Sequence, residues 1–124
     1  MTFYLAFSSD GRRLVAGGEK YTVKIWDVQT GEELQILSGH SGDVWAAAFS
    51  PDPGGRWVAS AGEDSTVKIW DSHTGTLVRS FRGHTRLVTT VAFSPEDGQF
   101  LISGSRDGTV KVWDLTHLGK KPEE

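Results

Sequence analysis

The chain has 124 residues, enough for one compact domain, and its 37% hydrophobic and 23% charged residues are typical of a folded protein rather than a disordered one. A net charge of −3 disfavours a broad grip on a nucleic-acid backbone, and the absence of cysteine from the sequence excludes disulfides, thiolate metal sites and a cysteine nucleophile. No apolar run approaches the roughly 20 residues that a membrane span requires. We therefore expect a cytoplasmic protein that binds neither membrane nor nucleic acid.

Three short strings recur along the chain with one common period. Thr-Val-Lys-Ile-Trp-Asp occurs at 22–27 and 66–71, and it returns as Thr-Val-Lys-Val-Trp-Asp at 109–114, so the three Trp residues are 44 and 43 positions apart. The strings Ala-Phe-Ser and Gly-His repeat at spacings of 42 to 44. Such a period indicates a repeat architecture in which each unit is completed by its neighbours.

Each period is predicted to form short antiparallel strands, because β-branched and aromatic residues alternate with polar ones, and Gly, Asp, Ser and Pro break the chain about every 8–12 residues. Four strands are predicted in unit 1, at 3–8, 13–17, 22–27 and 33–37. Four are predicted in unit 2, at 44–50, 57–61, 66–71 and 76–82. Three are predicted in unit 3, at 88–94, 100–103 and 109–114. We accordingly divide the chain into unit 1 at 1–43, unit 2 at 44–87, a partial unit 3 at 88–114 and a polar C-terminal tail at 115–124.

The Gly-His to Trp-Asp pattern at this period resembles the WD40 repeat, and the resemblance covers about nine-tenths of the chain. It implies an all-β fold: a β-propeller of WD40 type with three four-stranded blades, the third lacking its outer strand. Members of this family are mostly non-catalytic scaffolds that bind proteins or peptides. The resemblance therefore implies a protein-interaction scaffold that is not an enzyme and needs no cofactor.

The resemblance also implies a buried hydrogen-bonded tetrad of His, Ser or Thr, Asp and Trp in each blade. Eight residues of the second and third blades match it: His40, Ser60, Asp64, Trp70, His84, Ser103, Asp107 and Trp113. In the first blade only Trp26 matches, since Ala16 and Lys20 stand at the Ser and Asp positions. A buried indole N–H left unpaired costs roughly 1–3 kcal/mol. We therefore expect each tetrad to stabilise its own blade, the second or the third, and we expect the first blade to be the least rigid.

Catalytic and metal-binding interpretations of the same residues are weaker. Ser, His and Asp also form catalytic triads, but a nucleophile must face a cleft beside an oxyanion hole, and the sequence has no Gly-x-Ser-x-Gly elbow. The four His residues include no closely spaced pair of the kind that binds zinc. We therefore predict no catalytic residue, no metal site and no cofactor-binding residue. The repeated lysines at 24, 68 and 111 are expected to be solvated strand residues.

In the WD40 family, partner-binding residues often lie on the top face of the propeller, three and five places after the tetrad His and one place before the tetrad Asp. The matching positions are Phe3, Glu19, Asp43, Trp45, Glu63, Leu87, Thr89 and Arg106. Trp45 is the most informative of them, because a large aromatic side chain on an exposed rim is a typical anchor for a partner. Packing of Trp45 against a neighbouring blade is the open alternative. The set leans acidic, which predicts a protein or peptide partner with a basic segment.

Three blades at propeller curvature form an open arc that leaves one face of the first blade and one face of the third uncovered. Exposed apolar faces and open strand edges drive association. Two interpretations stay open. Two copies joined head to tail would close a six-bladed ring as a homodimer, or the chain is a structural fragment of a larger propeller with no binding activity of its own.

Overall fold

Eleven segments in which β-branched and aromatic residues alternate with polar ones form strands in the computed structural model. The structure describes residues 2–118, apart from the side chains of Thr2, Phe3 and Glu19. The strands are β1 Thr2–Phe7, β2 Arg13–Gly18, β3 Thr22–Asp27, β4 Glu33–Ser38, β5 Val44–Phe49, β6 Trp57–Gly62, β7 Val67–Asp71, β8 Leu77–Phe81, β9 Val88–Phe93, β10 Phe100–Ser105 and β11 Val110–Asp114.

The strands form three antiparallel sheets in which each strand pairs with its neighbour in sequence. Blade 1 has the order β1-β2-β3-β4, blade 2 the order β5-β6-β7-β8, and blade 3 the order β9-β10-β11. The predicted fold class is confirmed: the chain is all-β, with two four-stranded blades and a third of three strands. Within the described residues, β11 is therefore an edge strand. No helix of this part of the chain is long and apolar enough to cross a membrane.

The core lies between the blades, because successive side chains of a strand point to opposite faces of its sheet. Blade 2 sends one set of side chains toward blade 1 and the other toward blade 3. The cluster between blades 1 and 2 contains Val15, Val23, Ile25, Leu37, Val44, Ala47, Phe49, Val58 and Trp70. The cluster between blades 2 and 3 contains Ala46, Ala59, Ala61, Val67, Ile69, Val88, Val91, Leu101 and Leu115. Each blade thus buries an apolar face only where a neighbour covers it.

Two positions of the predicted C-terminal tail take part in this packing. Leu115 is buried in the cluster between blades 2 and 3, and Leu118 packs against it after a turn closed by the bond from the Leu118 N–H to the Leu115 carbonyl. The remaining tail positions, 119–124, lie outside the described residues.

A polar contact links the start of β2 in blade 1 to blade 2. The Arg13 guanidinium donates to the carbonyl oxygens of Gly54 at 2.7 Å and Gly55 at 2.8 Å and to the Ser72 hydroxyl at 3.0 Å. It also lies over the ring of Phe49, 4.8 Å from the centroid. Charge-assisted hydrogen bonds are stronger than neutral ones, so Arg13 adds directional contacts to an otherwise apolar blade interface.

Candidate functional site

The tetrad residues of blade 2 meet in one continuous chain of hydrogen bonds. The Trp70 indole N–H donates to the Ser60 hydroxyl oxygen at 2.7 Å, and Ser60 Oγ lies 2.7 Å from His40 Nε2. His40 Nδ1 lies 2.9 Å from Asp64 Oδ2. These hydrogen bonds join strands β6 and β7 to the loop before β5 and to the turn between β6 and β7.

Blade 3 repeats the arrangement with the same spacings. The Trp113 indole donates to Ser103 Oγ at 2.8 Å, Ser103 Oγ lies 2.7 Å from His84 Nε2, and His84 Nδ1 lies 2.9 Å from Asp107 Oδ2. All eight sequence-predicted tetrad residues are thus brought together in two groups of four.

One arrangement of protons satisfies every bond of the tetrad. If His40 Nδ1 donates to the Asp64 carboxylate, its Nε2 accepts from the Ser60 hydroxyl, whose oxygen in turn accepts from Trp70. This pattern leaves each of these polar atoms with a partner. Across the described residues, every buried side-chain nitrogen and oxygen has a hydrogen-bond partner.

The two carboxyl groups are held in their charged form. Burial alone would raise the pKa of Asp64, but hydrogen bonds from His40, from the Ser41 N–H and from Thr66 outweigh it, so the pKa lies well below its usual value. The pKa of Asp107 is lowered in the same way, with the bond from the Thr109 hydroxyl as the largest cause. Low carboxyl pKa values suit a permanent acceptor and not a group that exchanges protons near neutral pH.

The tetrad serines are not placed as nucleophiles. Ser60 and Ser103 are both 0% exposed, so neither Oγ reaches a surface from which a substrate could approach. A catalytic serine has to face a cleft next to donors for a developing oxyanion. In residues 2–118, apart from the three undescribed side chains, no group of three His, Asp or Glu could hold a metal ion. The geometry supports a structural role for the tetrads.

The candidate partner-binding residues of blade 2 lie beside its tetrad. We call the edge formed by the loops 39–43 and 63–66 of blade 2 and by the loops 83–87 and 106–109 of blade 3 the top face. Asp43 and Glu63 are adjacent there, because the Glu63 N–H donates to the Asp43 carbonyl at 2.9 Å. The half-buried Trp45 follows in β5 and its indole donates to the Glu63 carboxylate at 3.3 Å. The structure thus brings these three predicted residues together.

Blade 3 presents its three candidates at the matching places. The Arg106 N–H donates to the Leu87 carbonyl at 3.0 Å, as Glu63 does to Asp43. Thr89 is exposed and its hydroxyl lies 3.4 Å from the Gly104 carbonyl. Phe3 and Glu19, the candidates of blade 1, have side chains outside the described residues.

A comparison with protein families agrees with this architecture. The family model described as WD domain, G-beta repeat, matches residues 3–27, 31–71 and 75–114. The chain belongs to this WD40 family. Its members are generally non-catalytic, and WD40 domains generally bind protein partners.

Several curated proteins are similar to part of this chain, and the longest matches cover 86% of it. A serine-threonine kinase receptor-associated protein of Gallus gallus is 44% identical over 107 residues, which are 86% of this chain and 17% of that protein. The nuclear distribution protein nudF of Aspergillus terreus is 30% identical over 107 residues, 86% of this chain and 19% of that protein. The U3 snoRNP-associated protein-like YAOH of Oryza sativa is 43% identical over 47 residues, 38% of this chain and 9% of that protein. The WD40 chain thus spans less than a fifth of the length of these relatives.

Blade 1 of this WD40 chain lacks the tetrad, as its sequence predicts. Ala16 takes the place of the tetrad serine and pairs with Lys24, as Ser60 pairs with Lys68 in blade 2. Lys20, at the Asp position, is exposed and has φ 71°, within a short 3-10 turn at Glu19–Tyr21. The half-buried Trp26 side chain therefore lies in blade 1 without the tetrad serine and aspartate that blades 2 and 3 provide.

Sequence reasoning missed two features of the WD40 chain. The expectation that the repeated lysines are solvated is wrong for Lys68, which is 6% exposed and donates from Nζ to the Ser80 hydroxyl of β8 at 3.0 Å. The Arg13 contact with blade 2 was not foreseen either. A signal for it exists, because the positions that match Arg13 in the other blades are Trp57 and Phe100, so a charged residue replaces an aromatic one.

Proposed function

We propose that this chain is a non-catalytic WD40 scaffold that binds a protein or peptide through the top face of blades 2 and 3. The observation that carries the proposal is the position of Trp45: half-buried at the rim, with its indole N–H directed to the Glu63 carboxylate. Aromatic side chains held in place at a rim offer large contact areas at little entropic cost, and they are frequent anchors of interfaces.

The charges around Trp45 favour a particular chemistry in the partner. Glu63 is exposed, and Asp43 lies directly beside it through the backbone bond between them. A basic side chain of the partner would pair with these carboxylates while an apolar side chain packs against the Trp45 ring. Arg106 of blade 3 places a positive charge on the same face, so the expected ligand carries a basic segment of limited length rather than a long polycation.

The buried tetrads support the further proposal that the chain is not an enzyme and uses no cofactor. The name of the Gallus gallus relative points the same way, since it describes association with a serine-threonine kinase receptor rather than a reaction. We also propose that it acts in the cytoplasm without nucleic acid or membrane as partner; its net charge of −3 supports the absence of a nucleic-acid partner.

A structural role inside a larger propeller is the second candidate function. It is favoured by the apolar faces of blades 1 and 3, which no other blade covers within the described residues, and by the small share of its relatives that the chain spans. In that case the 124-residue chain would have no binding activity of its own.

A peptide array separates the two candidates. Short peptides that combine basic and apolar residues are probed with the labelled 124-residue chain, and affinities of the bound ones are measured by fluorescence polarisation. Trp45→Ala should weaken binding by about 2 kcal/mol or more, roughly 30-fold. Glu63→Lys, at an exposed position, should weaken binding of basic peptides as well.

The matched control is Glu32→Lys, which makes the same charge change at an exposed turn on the opposite edge of blade 1. It should leave affinity within about twofold. Absence of any bound peptide, or binding that survives both top-face variants, would overturn the proposal and favour the purely structural role.

A further inference from the structure

The two outer blades each expose a face whose counterpart inside the molecule is buried. On blade 1, Phe7 is 64% exposed and Leu5 is 58% exposed, whereas the matching Phe49 of blade 2 is 8% exposed and the matching Ala47 is fully buried. The same face of blade 1 carries Trp26, which matches the buried Trp70. In blade 2 these positions pack against blade 1.

The open face of blade 3 shows the complementary pattern. Val110, Val112 and Ile102 are 71%, 63% and 42% exposed. Their counterparts in blade 2 are Val67, Ile69 and Ala59, and all three are fully buried against blade 3. The chain therefore carries both halves of a blade–blade interface, one on each outer blade, with the residue types that already pack together twice inside the molecule.

A groove on blade 1 marks where a residue of the covering blade would fit. It has a volume of about 340 Å³ and is lined by Phe7, Leu14, Trp26 and Val28, among others. The corresponding place on blade 2 is occupied by Arg13 of blade 1, which lies over Phe49 and bonds to Ser72. Ser72 is the blade 2 counterpart of Val28, since each directly follows the Asp of a Trp-Asp pair.

The residues at this contact change together from one interface to the next. Between blades 1 and 2, the charged Arg13 meets the polar Ser72. Between blades 2 and 3, their counterparts Trp57 and Leu115 both pack in the apolar cluster. The next pair in the series is Phe100, 41% exposed on blade 3, and Val28, 45% exposed on blade 1. Apolar Phe100 thus matches the apolar groove on blade 1 of the same sequence.

The tetrad positions of blade 1 indicate which kind of blade covers it. A complete preceding blade would bring a Gly-His loop, and in blades 2 and 3 the His of that loop bonds to a serine and an aspartate. Blade 1 offers Ala16 and Lys20 at those places, so it has no bonding partners for such a His. A covering blade therefore gains no tetrad bond from a Gly-His loop at blade 1.

We propose that a second copy of this chain docks its blade 3 on blade 1, with Phe100 in the groove lined by Phe7, Trp26 and Val28. Two such contacts related by a twofold axis close a ring of six blades, a number within the usual range of about 4–8 for propellers. The interface uses other surfaces than the top face, so the proposal stands or falls independently of peptide binding.

The test is the mass of the 124-residue chain in solution, measured by sedimentation velocity over a range of concentrations. The wild type should sediment as a two-chain species. Phe7→Lys on blade 1 and Val112→Glu on blade 3 change exposed residues, so each variant should keep its folded circular dichroism spectrum but sediment as a single chain.

A mixture of the two variants makes the test specific for head-to-tail contact. In a mixed dimer, one interface has the wild-type residues, and the other brings the lysine introduced at position 7 of the first variant to the glutamate introduced at position 112 of the second. The two-chain mass should therefore return. The control Leu77→Lys alters a residue that is 42% exposed on the outer strand of blade 2, away from both open faces, and should remain dimeric.

A wild-type chain that sediments as one chain at every concentration would overturn the proposal and would favour further blades of a longer protein as the occupant. A dimer that survives both single variants, or an open polymer in place of a closed pair, would overturn it as well.

Discussion

Replacing Asp64 with Ala removes the end of the blade 2 tetrad while leaving its other three members in place. Asp64 Oδ2 accepts from His40 Nδ1 at 2.9 Å and from the Ser41 N–H at 3.0 Å, and Oδ1 accepts from the Thr66 hydroxyl at 2.8 Å and the Thr66 N–H at 3.1 Å. The Asp64 side chain is 6% exposed and that of His40 is 0% exposed, so water does not readily take the place of the carboxylate at the imidazole.

The expected loss follows from the bonds that water cannot replace. A buried His40 N–H without an acceptor costs about 1–3 kcal/mol, and the lost bonds to Thr66 add about 1 kcal/mol. The bond to Ser41 contributes little, because that residue is exposed and its N–H can bond to water. The free energy of unfolding should therefore fall by about 2–4 kcal/mol, which lowers Tm by about 8–16 °C for a domain of this size.

Thermal unfolding followed by circular dichroism measures this loss against a matched control. Lys20→Ala changes the equivalent position of blade 1, which has no tetrad, and should alter stability by less than about 0.5 kcal/mol. The double variant His40→Ala with Asp64→Ala should lose less than the sum of the single variants, since both act on one network. Equal losses at positions 20 and 64, or strict additivity of the pair, would refute the structural role of the tetrad.

Three other predictions concern acid, a close backbone approach and the contact between blades 1 and 2. The folded-state pKa values of Asp64 and Asp107 lie below the ordinary value of 3.8, so their stabilisation is complete above about pH 5 and is lost as the pH falls toward the folded-state values. A pH series of Tm should show this loss, and the loss should be smaller in the Asp64→Ala variant. Gly62→Ala should lower Tm far more than Gly54→Ala, because a Cβ at position 62 would collide with the Asp43 carbonyl oxygen, whereas one at position 54 makes only an ordinary contact. Equal effects of the two substitutions on Tm would contradict the close approach of Gly62 to Asp43. Arg13→Ala should raise amide hydrogen exchange in β1 and β2 more than in β6 and β7, because it removes the bonds from blade 1 to Ser72 and to the turn before β6. Unchanged exchange would show that the apolar cluster alone holds blade 1 against blade 2.

The strands and tetrads could be predicted from the sequence because each signal occurs more than once. The string around Trp70 also occurs around Trp26 and Trp113, so strand positions could be checked from one unit to the next, and the observed strand ends differ from the predicted ones by at most two residues. The Ser and Asp of each tetrad lie 10 and 6 positions before its Trp, and the His lies 30 positions before it in blade 2 and 29 in blade 3, which is why the two complete sets and the degenerate blade 1 could all be identified.

Burial could not be predicted in the same way, because it depends on which neighbour covers a face. Phe7 and Phe49 stand in the same Ala-Phe-Ser string, yet one is 64% and the other 8% exposed, since only the second has a blade beside it. Lys24, Lys68 and Lys111 likewise share one local pattern, but Lys68, on the middle blade, is 6% exposed, whereas Lys24 and Lys111, on the outer blades, are only half-buried. Local alternation distinguishes the two faces of a strand and contains no information about the neighbouring blade.

The top-face proposal is tested most directly by amide hydrogen exchange of the chain with and without the basic peptide that binds it most tightly. Protection should be concentrated in the loops 39–43 and 63–66 and at the start of β5, where Asp43, Glu63 and Trp45 lie, with smaller effects in the corresponding loops of blade 3. Protection confined to the exposed edge of β11 or to the turns at the opposite edge of the blades would contradict the assignment of the top face as the binding surface.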